Sequence, residues 1–346
     1  MEAKMSFKDY TLAVLNGNAT AVLVALMPAA LLNGILSLME PSNITETLSF
    51  MVNLAQTALP VIAGMLVGLL LKLAPLESAS MSLATLIGSG IAVAQKGQFV
   101  FTGTGVILNI MLTSFIAGFI AMTLQRYLGS MRVILNPTAI LLTGGSIGLF
   151  TLPYTLAVQT WIGDLVAKST SLSPLLMGMT LGIAFAILIV SPLSSVGIAT
   201  AISISGVGSG SANTGIVAGA MTLALIGASV NPIGGTIAQV FGSPKIQMAN
   251  ILEKPKLFLP IIISAGATGL VSAALEIKGT AFSAGFGASG FVGPITAFQE
   301  STGANIGLRL LIVYIFMPVG MAVLMRIIFV KVLKLIQPSD LKLPEV

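Results

Sequence analysis

A carboxylate followed by a run of glycines interrupts the apolar C-terminal third of the sequence. The stretch EIKGTAFSAGFGASGFVGPITAF begins at Glu276, ends at Phe298 and lies between two strongly apolar segments. An ionisable side chain in an apolar surrounding is costly and usually functional. A carboxylate accepts two hydrogen bonds in one plane, which suits a sugar hydroxyl, and it can also take up a proton. Glu276 is therefore the first candidate for solute binding.

Three interpretations of Glu276 stay open at this point: it binds a solute, it carries a coupled proton, or it only pairs with Lys278 at a membrane interface. Gly285 and Gly287 are expected to hold a turn beside it, through positive φ or close approach of another segment. The match to G-x-G-x-x-G at 285–290 does not indicate a dinucleotide site. No strand precedes it, and no acid follows about 20 residues on.

Further polar side chains stand near breaks in other apolar segments. Two are asparagines followed by proline, which leaves nearby backbone carbonyls without a full set of donors. The others follow the glycine-rich stretch, where Glu300 could instead form an interfacial pair with Arg309. These candidates for solute binding are Asn136, Asn231, Thr296, Gln299, Glu300 and Asn305. Glu77 is placed beside Lys72 at the inner membrane face, with no function expected.

The composition sets the class of fold that must position these residues. The mean hydropathy is +1.03, hydrophobic residues make up 55% of the 346 residues, and charged residues only 8%. A soluble domain carries about 25% charged residues, so this composition predicts a polytopic, all-α transmembrane bundle. The net charge of +5 comes from basic residues near segment ends, as the positive-inside bias requires, and does not indicate a nucleic-acid partner. The chain has no cysteine and no histidine, and we expect no metal or cofactor.

About ten hydrophobic segments within one membrane domain, residues 1–346, are long enough to cross or enter a bilayer. Lysines and arginines between the segments place both termini in the cytoplasm. A count of crossings then leaves two segments that do not cross, and we expect re-entrant hairpins at 133–160 and 279–300. About eight full spans remain. The segments are 17–39, 47–71, 74–94, 104–125, 133–160, 174–204, 214–240, 257–276, 279–300 and 304–335.

Two features concern the arrangement of these segments. Residues 59–80 loosely echo residues 173–195 in their prolines and glycines, which would fit an inverted repeat of the kind that transporters use. The solute site is then expected between the two hairpins, near the midplane. The small, polar stretch GVGSGSANTG at 206–215 is expected to be a flexible outer loop.

The segments NPIGGTIAQ, FGSPKIQMAN and EIKGTAFSAGFGASGFVGP resemble a known family. They are similar to the sugar-permease (IIC) subunits of the bacterial phosphotransferase system. The likeness is greatest to the stand-alone IIC-like group that includes the perfringolysin regulator-type proteins, and it covers essentially the whole chain. It implies a multi-pass permease of the plasma membrane, acting as a homodimer, in which an acid next to a glycine-rich re-entrant segment binds the sugar. By position that acid is Glu276.

The sequence departs from many such permeases because it has no histidine at the substrate and no fused domain that carries a phosphoryl group. No side chain is suited to phosphoryl transfer, so a separate IIB protein would have to be the donor. Two other functions stay open: a membrane sensor or regulator that binds a ligand without transporting it, and a proton-coupled carrier that works without phosphorylation.

Overall fold

The computed structural model describes residues 5–36, 38–95, 97–127 and 131–343. The chain divides into two compact units, one formed by Met1–Ala29 and Phe50–Val158 and the other by Ala30–Ser49 and Gln159–Val346. Both units are built from helices, and this confirms the predicted all-α fold. The described residues also contain one exposed antiparallel hairpin of two strands. These are β1 (Ala92–Gln95) and β2 (Gln98–Phe101), in which Ala92 pairs with Phe101.

The helices of the first unit pack through small residues. An ideal Cβ placed on Gly64 or Gly68 of α3 would stand within 2.7 Å of the Cα atoms of Ser82 or Ser78 on α4, so the two backbones touch. The helices are α1 (Phe7–Leu36), α2 (Asn43–Thr57), α3 (Leu59–Leu70), α4 (Pro75–Gly88), α5 (Ile107–Tyr127), α6 (Arg132–Ala139) and α7 (Gly145–Lys168), of which α1, α2 and α7 run past the boundaries of the unit.

The second unit surrounds one buried helix. Its central helix, α10, begins at Gly206 and is buried along almost its whole length, with α8, α13 and α16 packed against it. The α-helices are α8 (Pro174–Ile189), α9 (Ser195–Ala201), α10 (Gly206–Gly227), α11 (Ile233–Ile237), α12 (Met248–Glu253), α13 (Phe258–Ala274), α14 (Val292–Glu300), α15 (Ile306–Leu311) and α16 (Met317–Arg326).

The prediction of an outer loop at 206–215 is wrong, because these residues form the first half of α10. Glycine, serine and alanine lower the hydropathy of the stretch, but they also let neighbouring helices approach closely. An ideal Cβ on Gly215 would stand 2.4 Å from the Cα of Gly182 on α8. Because protein surrounds this stretch, its low hydropathy is compatible with a buried helix.

The structure also differs from the re-entrant hairpin expected at 133–160. The chain stays helical from Arg132 to Ser171, through α6, a π-helical turn at Ile140–Gly144 and α7, without the reversal that a hairpin requires. Pro137 has no N–H to donate inside α6, and the π-helical turn follows it at once, with the N–H of Gly145 donating to the carbonyl of Leu141.

Five helices among the described residues are long and apolar enough to cross a membrane, and the pair α2 and α3, bent by 46°, would make a sixth. These helices support a multi-pass bundle, while the expected number of about eight crossings stays a prediction. The five are Ile107–Gln125, Arg132–Ser171, Gly206–Gly227, Pro255–Ala274 and Ile306–Val332.

Candidate functional site

The glycine-rich stretch of the second unit is not a continuous helix. After α13 ends, the backbone makes short 3-10 turns at Ser283–Gly285 and Ser289–Phe291 and then enters the nine-residue helix α14. Gly287, Gly290 and Phe291 all have φ near +60°. Whether the stretch enters and leaves the membrane on one side stays a prediction.

The backbone groups of this stretch that are outside regular helix form hydrogen bonds to other parts of the protein. Gly206 and Gly279 exchange two backbone hydrogen bonds of 2.9 and 3.0 Å. The hydroxyl of Ser209 donates to the carbonyl of Thr280 at 2.7 Å, and that of Ser195 donates to the carbonyl of Gly285 at 2.8 Å. Irregular backbone is thus kept inside the protein by side chains of α9 and α10, as burial away from water requires.

Asn213 of α10 joins this stretch in two places. Its Oδ1 accepts from the backbone N–H of Gly287 at 3.1 Å, and its Nδ2 donates to the hydroxyl of Ser283 at 3.4 Å. Asn213 and Ser283 are both fully buried. The sequence analysis missed Asn213, but its spacing of four residues from Ser209 places both side chains on one face of a helix.

Gly285 and Gly287 are buried and tightly enclosed. An ideal Cβ on Gly285 would stand 2.4 Å from the backbone nitrogen of Val196, and one on Gly287 would stand 2.4 Å from Cγ2 of Ile216. Gly287 also has φ of +62°. Both reasons given for glycine at these positions, positive φ and close approach, therefore occur in the structure.

Glu276 follows α13 in the left-handed conformation, with φ of +50°. The turn is closed by a hydrogen bond of 3.1 Å from the N–H of Ile277 to the carbonyl of Ser272, the pattern of a Schellman C-cap. The Glu276 side chain is exposed. Within the described residues, no ion pair joins it to Lys278.

The segment 299–309, which includes the end of α14 and the chain after it, forms an edge that hydrogen bonds hold beside the turn at Glu276. The hydroxyl of Ser301 accepts from the N–H of Lys278 at 2.8 Å. Arg309 donates to the carbonyls of Thr302, at 3.0 Å, and Leu275, and so ties this edge to the end of α13. Among the predicted site residues here, Thr296 is half-buried, whereas Gln299, Glu300 and Asn305 are exposed. Glu300 makes no ion pair with Arg309 in the part of the chain that the structure describes.

Asn231 lies in a different part of the second unit, where it holds the C-terminal segment. Its Nδ2 donates to the carbonyl of Leu341 at 2.8 Å, and its Oδ1 accepts from the N–H of Leu343 at 2.8 Å. Gln247 also donates to the Leu341 carbonyl, at 2.9 Å. The side-chain amide of Asn231 is thus hydrogen-bonded to the backbone of the C-terminal segment. In the sequence, this segment is distant from the turn at Glu276.

Asp340 completes the attachment of the C-terminal segment. Its two carboxylate oxygens each lie 2.8 Å from a lysine Nζ, one of Lys254 and one of Lys256. Burial works to raise the pKa of Asp340, but the hydrogen bonds from the two lysines and from the N–H of Gln337 outweigh it and lower the pKa to about 2. Asp340 is therefore ionised at neutral pH.

Lys245 is buried beyond the end of α8. Its Nζ donates to the backbone carbonyls of Ser191 and Leu193, the latter at 2.9 Å. Only 3% of the residue is exposed, and this burial lowers the pKa of Lys245 to about 7.

Asn136 belongs to the first unit and is fully buried there. Its Nδ2 donates to Oε1 of Glu77 at 3.0 Å. The placement of Glu77 at the interface beside Lys72 is wrong, since Glu77 is fully buried and Lys72 is exposed. Glu77 lies in the first turn of α4, whose packing against α6 the sequence pattern did not show.

Long apolar helices in both units define a helical, multi-pass membrane protein. Comparison with protein families then gives its membership: the profile of the family "Phosphotransferase system, EIIC" matches residues 12–343. The chain belongs to this family and is a permease subunit of the phosphotransferase system. The comparison with curated proteins finds no match.

Proposed function

We propose that this permease subunit moves a sugar or sugar derivative across the plasma membrane, with both termini in the cytoplasm, and that Glu276 binds the solute. The observation that carries the proposal is the carboxylate at a position with φ of +50°. The residue after a helix in this conformation is usually glycine, since a side chain costs roughly 1–2 kcal/mol there. A strained acidic residue that is exposed and unpaired is a candidate for function.

The surrounding edge supplies the other groups that a polyhydroxylated solute needs. Gln299 and Asn305 each offer a donor and an acceptor, and Glu300 offers a second carboxylate. All three are exposed in the segment that Ser301 and Arg309 tie to the end of α13. Thr296, which is half-buried on α14, is a further candidate, whereas Gly285 and Gly287 would act by holding the turn.

The roles of the two asparagines outside this edge differ from that of Glu276. Asn231 is engaged with the C-terminal segment and Asn136 with Glu77. Either residue would reach a solute only after exchanging these hydrogen bonds. Their assignment to the binding site stays a prediction.

Phosphorylation of the sugar would need a separate donor, since the chain has neither histidine nor cysteine. We expect a IIB protein to fill this role and two copies of the chain to form a homodimer. The full-length protein in proteoliposomes, given labelled sugars with or without donor proteins, tests this directly. Uptake that requires the donor and yields phosphorylated sugar supports the proposal. For the variant Glu276→Gln, the matched control is Asp164→Asn, which removes another exposed carboxylate of the second unit.

The same experiment separates the other two functions. A sensor would bind sugar with no uptake under either condition. A proton-coupled carrier would show uptake without donor proteins that follows a pH gradient. Either result would replace the phosphorylating permease.

A further inference from the structure

The segment Gln337–Leu343 lies as a strap against polar side chains of the second unit. We propose that this strap is a removable cover, and that the side-chain amides beneath it bind a sugar when the strap lifts. The amides are those of Asn231, Gln239, Gln247 and Asn250. The inference deepens the proposed function, on which the identity of its ligand rests. It adds a second place for the sugar besides the edge at Glu276.

The four amides form a connected set of hydrogen bonds. Nδ2 of Asn250 donates to Oε1 of Gln247 at 2.6 Å, and Nε2 of Gln247 donates to Oε1 of Gln239 at 3.1 Å. Asn231 joins them through the carbonyl of Leu341, to which both Asn231 and Gln247 donate, at 2.8 and 2.9 Å. Gln239 and Gln247 are fully buried. Buried polar groups are costly unless they are paired, so this set must always have partners.

The strap supplies those partners with its backbone. Besides the Leu341 carbonyl, the carbonyl of Lys342 accepts from Nδ2 of Asn250 at 2.9 Å, and the N–H of Leu343 donates to Oδ1 of Asn231 at 2.8 Å. Three successive residues thus present two acceptors and one donor. A hydroxyl group can both donate and accept, so the hydroxyls of a sugar could replace each of these hydrogen bonds. Exchange for such a ligand would keep the amides paired.

The contacts that hold the strap can be given up without burying an unpaired charge. The carboxylate of Asp340 lies 2.8 Å from Nζ of Lys254 and 2.8 Å from Nζ of Lys256, and these lysine side chains are 38% and 42% exposed. Water can therefore solvate both lysines once Asp340 leaves. Leu341 is the fully buried apolar anchor, and its Cβ is 3.1 Å from an ideal Cβ on Gly227. Lifting the strap withdraws this anchor.

The covered amides are connected by packing to the glycine-rich stretch that follows Glu276. Gln239 belongs to a π-helical turn, Ala238–Gly242. Phe241 of the same turn packs against Phe291, with ring centroids 5.1 Å apart, and Phe291 lies in the glycine-rich stretch with φ of +60°. Single π-helical turns often occur at functional sites. The second place for the sugar therefore adjoins the segment that carries the first.

A reversible crosslink tests whether the strap must lift during transport. An ideal Cβ on Gly235 would stand 2.8 Å from Cδ1 of Leu343, so cysteines at these two positions lie within reach of a short bis-methanethiosulfonate reagent. The chain has no cysteine of its own. In full-length Gly235→Cys/Leu343→Cys in proteoliposomes, crosslinking should abolish uptake of labelled sugar, and a reductant should restore it. Each single cysteine variant, treated in the same way, should keep its uptake.

The outcomes of this test separate the strap from the proposed function. Undiminished uptake in the double variant, with crosslinking shown to be complete by mass spectrometry, would overturn the removable cover and leave the permease intact. Absence of uptake in every sample, wild type included, would refute the proposed function instead. Hydrogen exchange then decides about the strap by itself.

Hydrogen exchange of the full-length protein measures the strap without transport. Asp340→Asn should speed exchange in residues 337–343 by roughly tenfold, because contacts to two charged groups are weakened. Exchange in α10 should not change, and Asp164→Asn, which alters an exposed carboxylate, should affect neither segment. Equal acceleration in α10 would show that the strap opens only when the whole unit unfolds, and would identify it as a fixed anchor. Adding the transported sugar to the wild type should also speed exchange in the strap, whereas slower exchange would exclude the sugar from the covered amides.

Discussion

Oδ1 of Asn213 accepts a 3.1 Å hydrogen bond from the backbone N–H of Gly287, which lies 74 residues further along the chain. This bond ties the glycine-rich turn to the most buried helix of the second unit. The turn is irregular because its glycines permit it, and α10 supplies its polar partners. A solute held at the exposed edge beside Glu276 would therefore lie near backbone that buried hydrogen bonds connect to α10.

Replacing Asn213 by Ala should destabilise the second unit by about 1–3 kcal/mol, because the buried N–H of Gly287 would lose its acceptor. Thermal unfolding of the purified protein in detergent measures the change. Ser211→Ala is the matched control on the same helix, since its buried hydroxyl has no partner among the described residues. Equal losses in the two variants would show that the Asn213 bond adds no stability.

Gly287→Ala should be more harmful than an ordinary glycine substitution, because the left-handed conformation costs a side chain roughly 1–2 kcal/mol and the new Cβ would meet Ile216. Gly285→Ala should also disturb the fold, through contact with Val196. Gly307→Ala is the control, as its Cβ would meet no atom within 4 Å. Chromatographic homogeneity and unfolding midpoints compare the three, and an undisturbed Gly287→Ala would contradict this account.

Glu276→Gln should weaken sugar binding by about tenfold to a hundredfold, because a hydrogen bond to a charged group contributes roughly 1.5–3 kcal/mol. Glu276→Gly removes the same group while relieving the positive-φ strain, so it should bind no sugar and unfold at a higher temperature. Binding of labelled sugars to purified protein gives the affinities. Binding that survives in Gln but loses its pH dependence would instead indicate a coupled proton, and wild-type affinity in Glu276→Gly would remove the residue from the site.

Lys245 should make stability rise with pH between about 7 and 10.5. The pKa of Lys245 is lowered by burial from 10.5 to about 7, so in this window the unfolded chain binds a proton that the folded chain does not. Below about pH 7 both states are protonated and the slope ends. Unfolding midpoints across this range should flatten in Lys245→Met and stay sloped in Lys168→Met, which alters an exposed lysine.

Cysteines introduced at Arg132 and Lys168 should be labelled from opposite sides of the membrane. The helix between them has 37 residues and so measures about 55 Å, more than the roughly 30 Å of the hydrocarbon core. Labelling is clean because the chain has no cysteine of its own. Reaction of both positions from the cytoplasm would restore the re-entrant hairpin that charge counting predicts.

The sequence by itself determined the class of this protein and the position of its main irregular segment. An 8% share of charged residues excludes a water-soluble surface, and the glycines after Glu276 mark where regular helix ends. These conclusions rest on local properties, namely hydropathy and backbone freedom, which each residue carries wherever it is placed. The resemblance to a known family predicted a permease subunit of the phosphotransferase system, and the family profile confirmed this prediction.

Only the tertiary structure decided which polar residues are partners. Asn213 looked like part of a loop and Glu77 like an interfacial charge, yet both are fully buried, because small residues let helices close around them. The break expected near Pro137 became a π-helical turn, since neighbouring groups and a small change of helical pitch can absorb a lost hydrogen bond. Hydrogen-bond partners tens of residues apart depend on helix packing, and no local pattern in the sequence encodes that geometry.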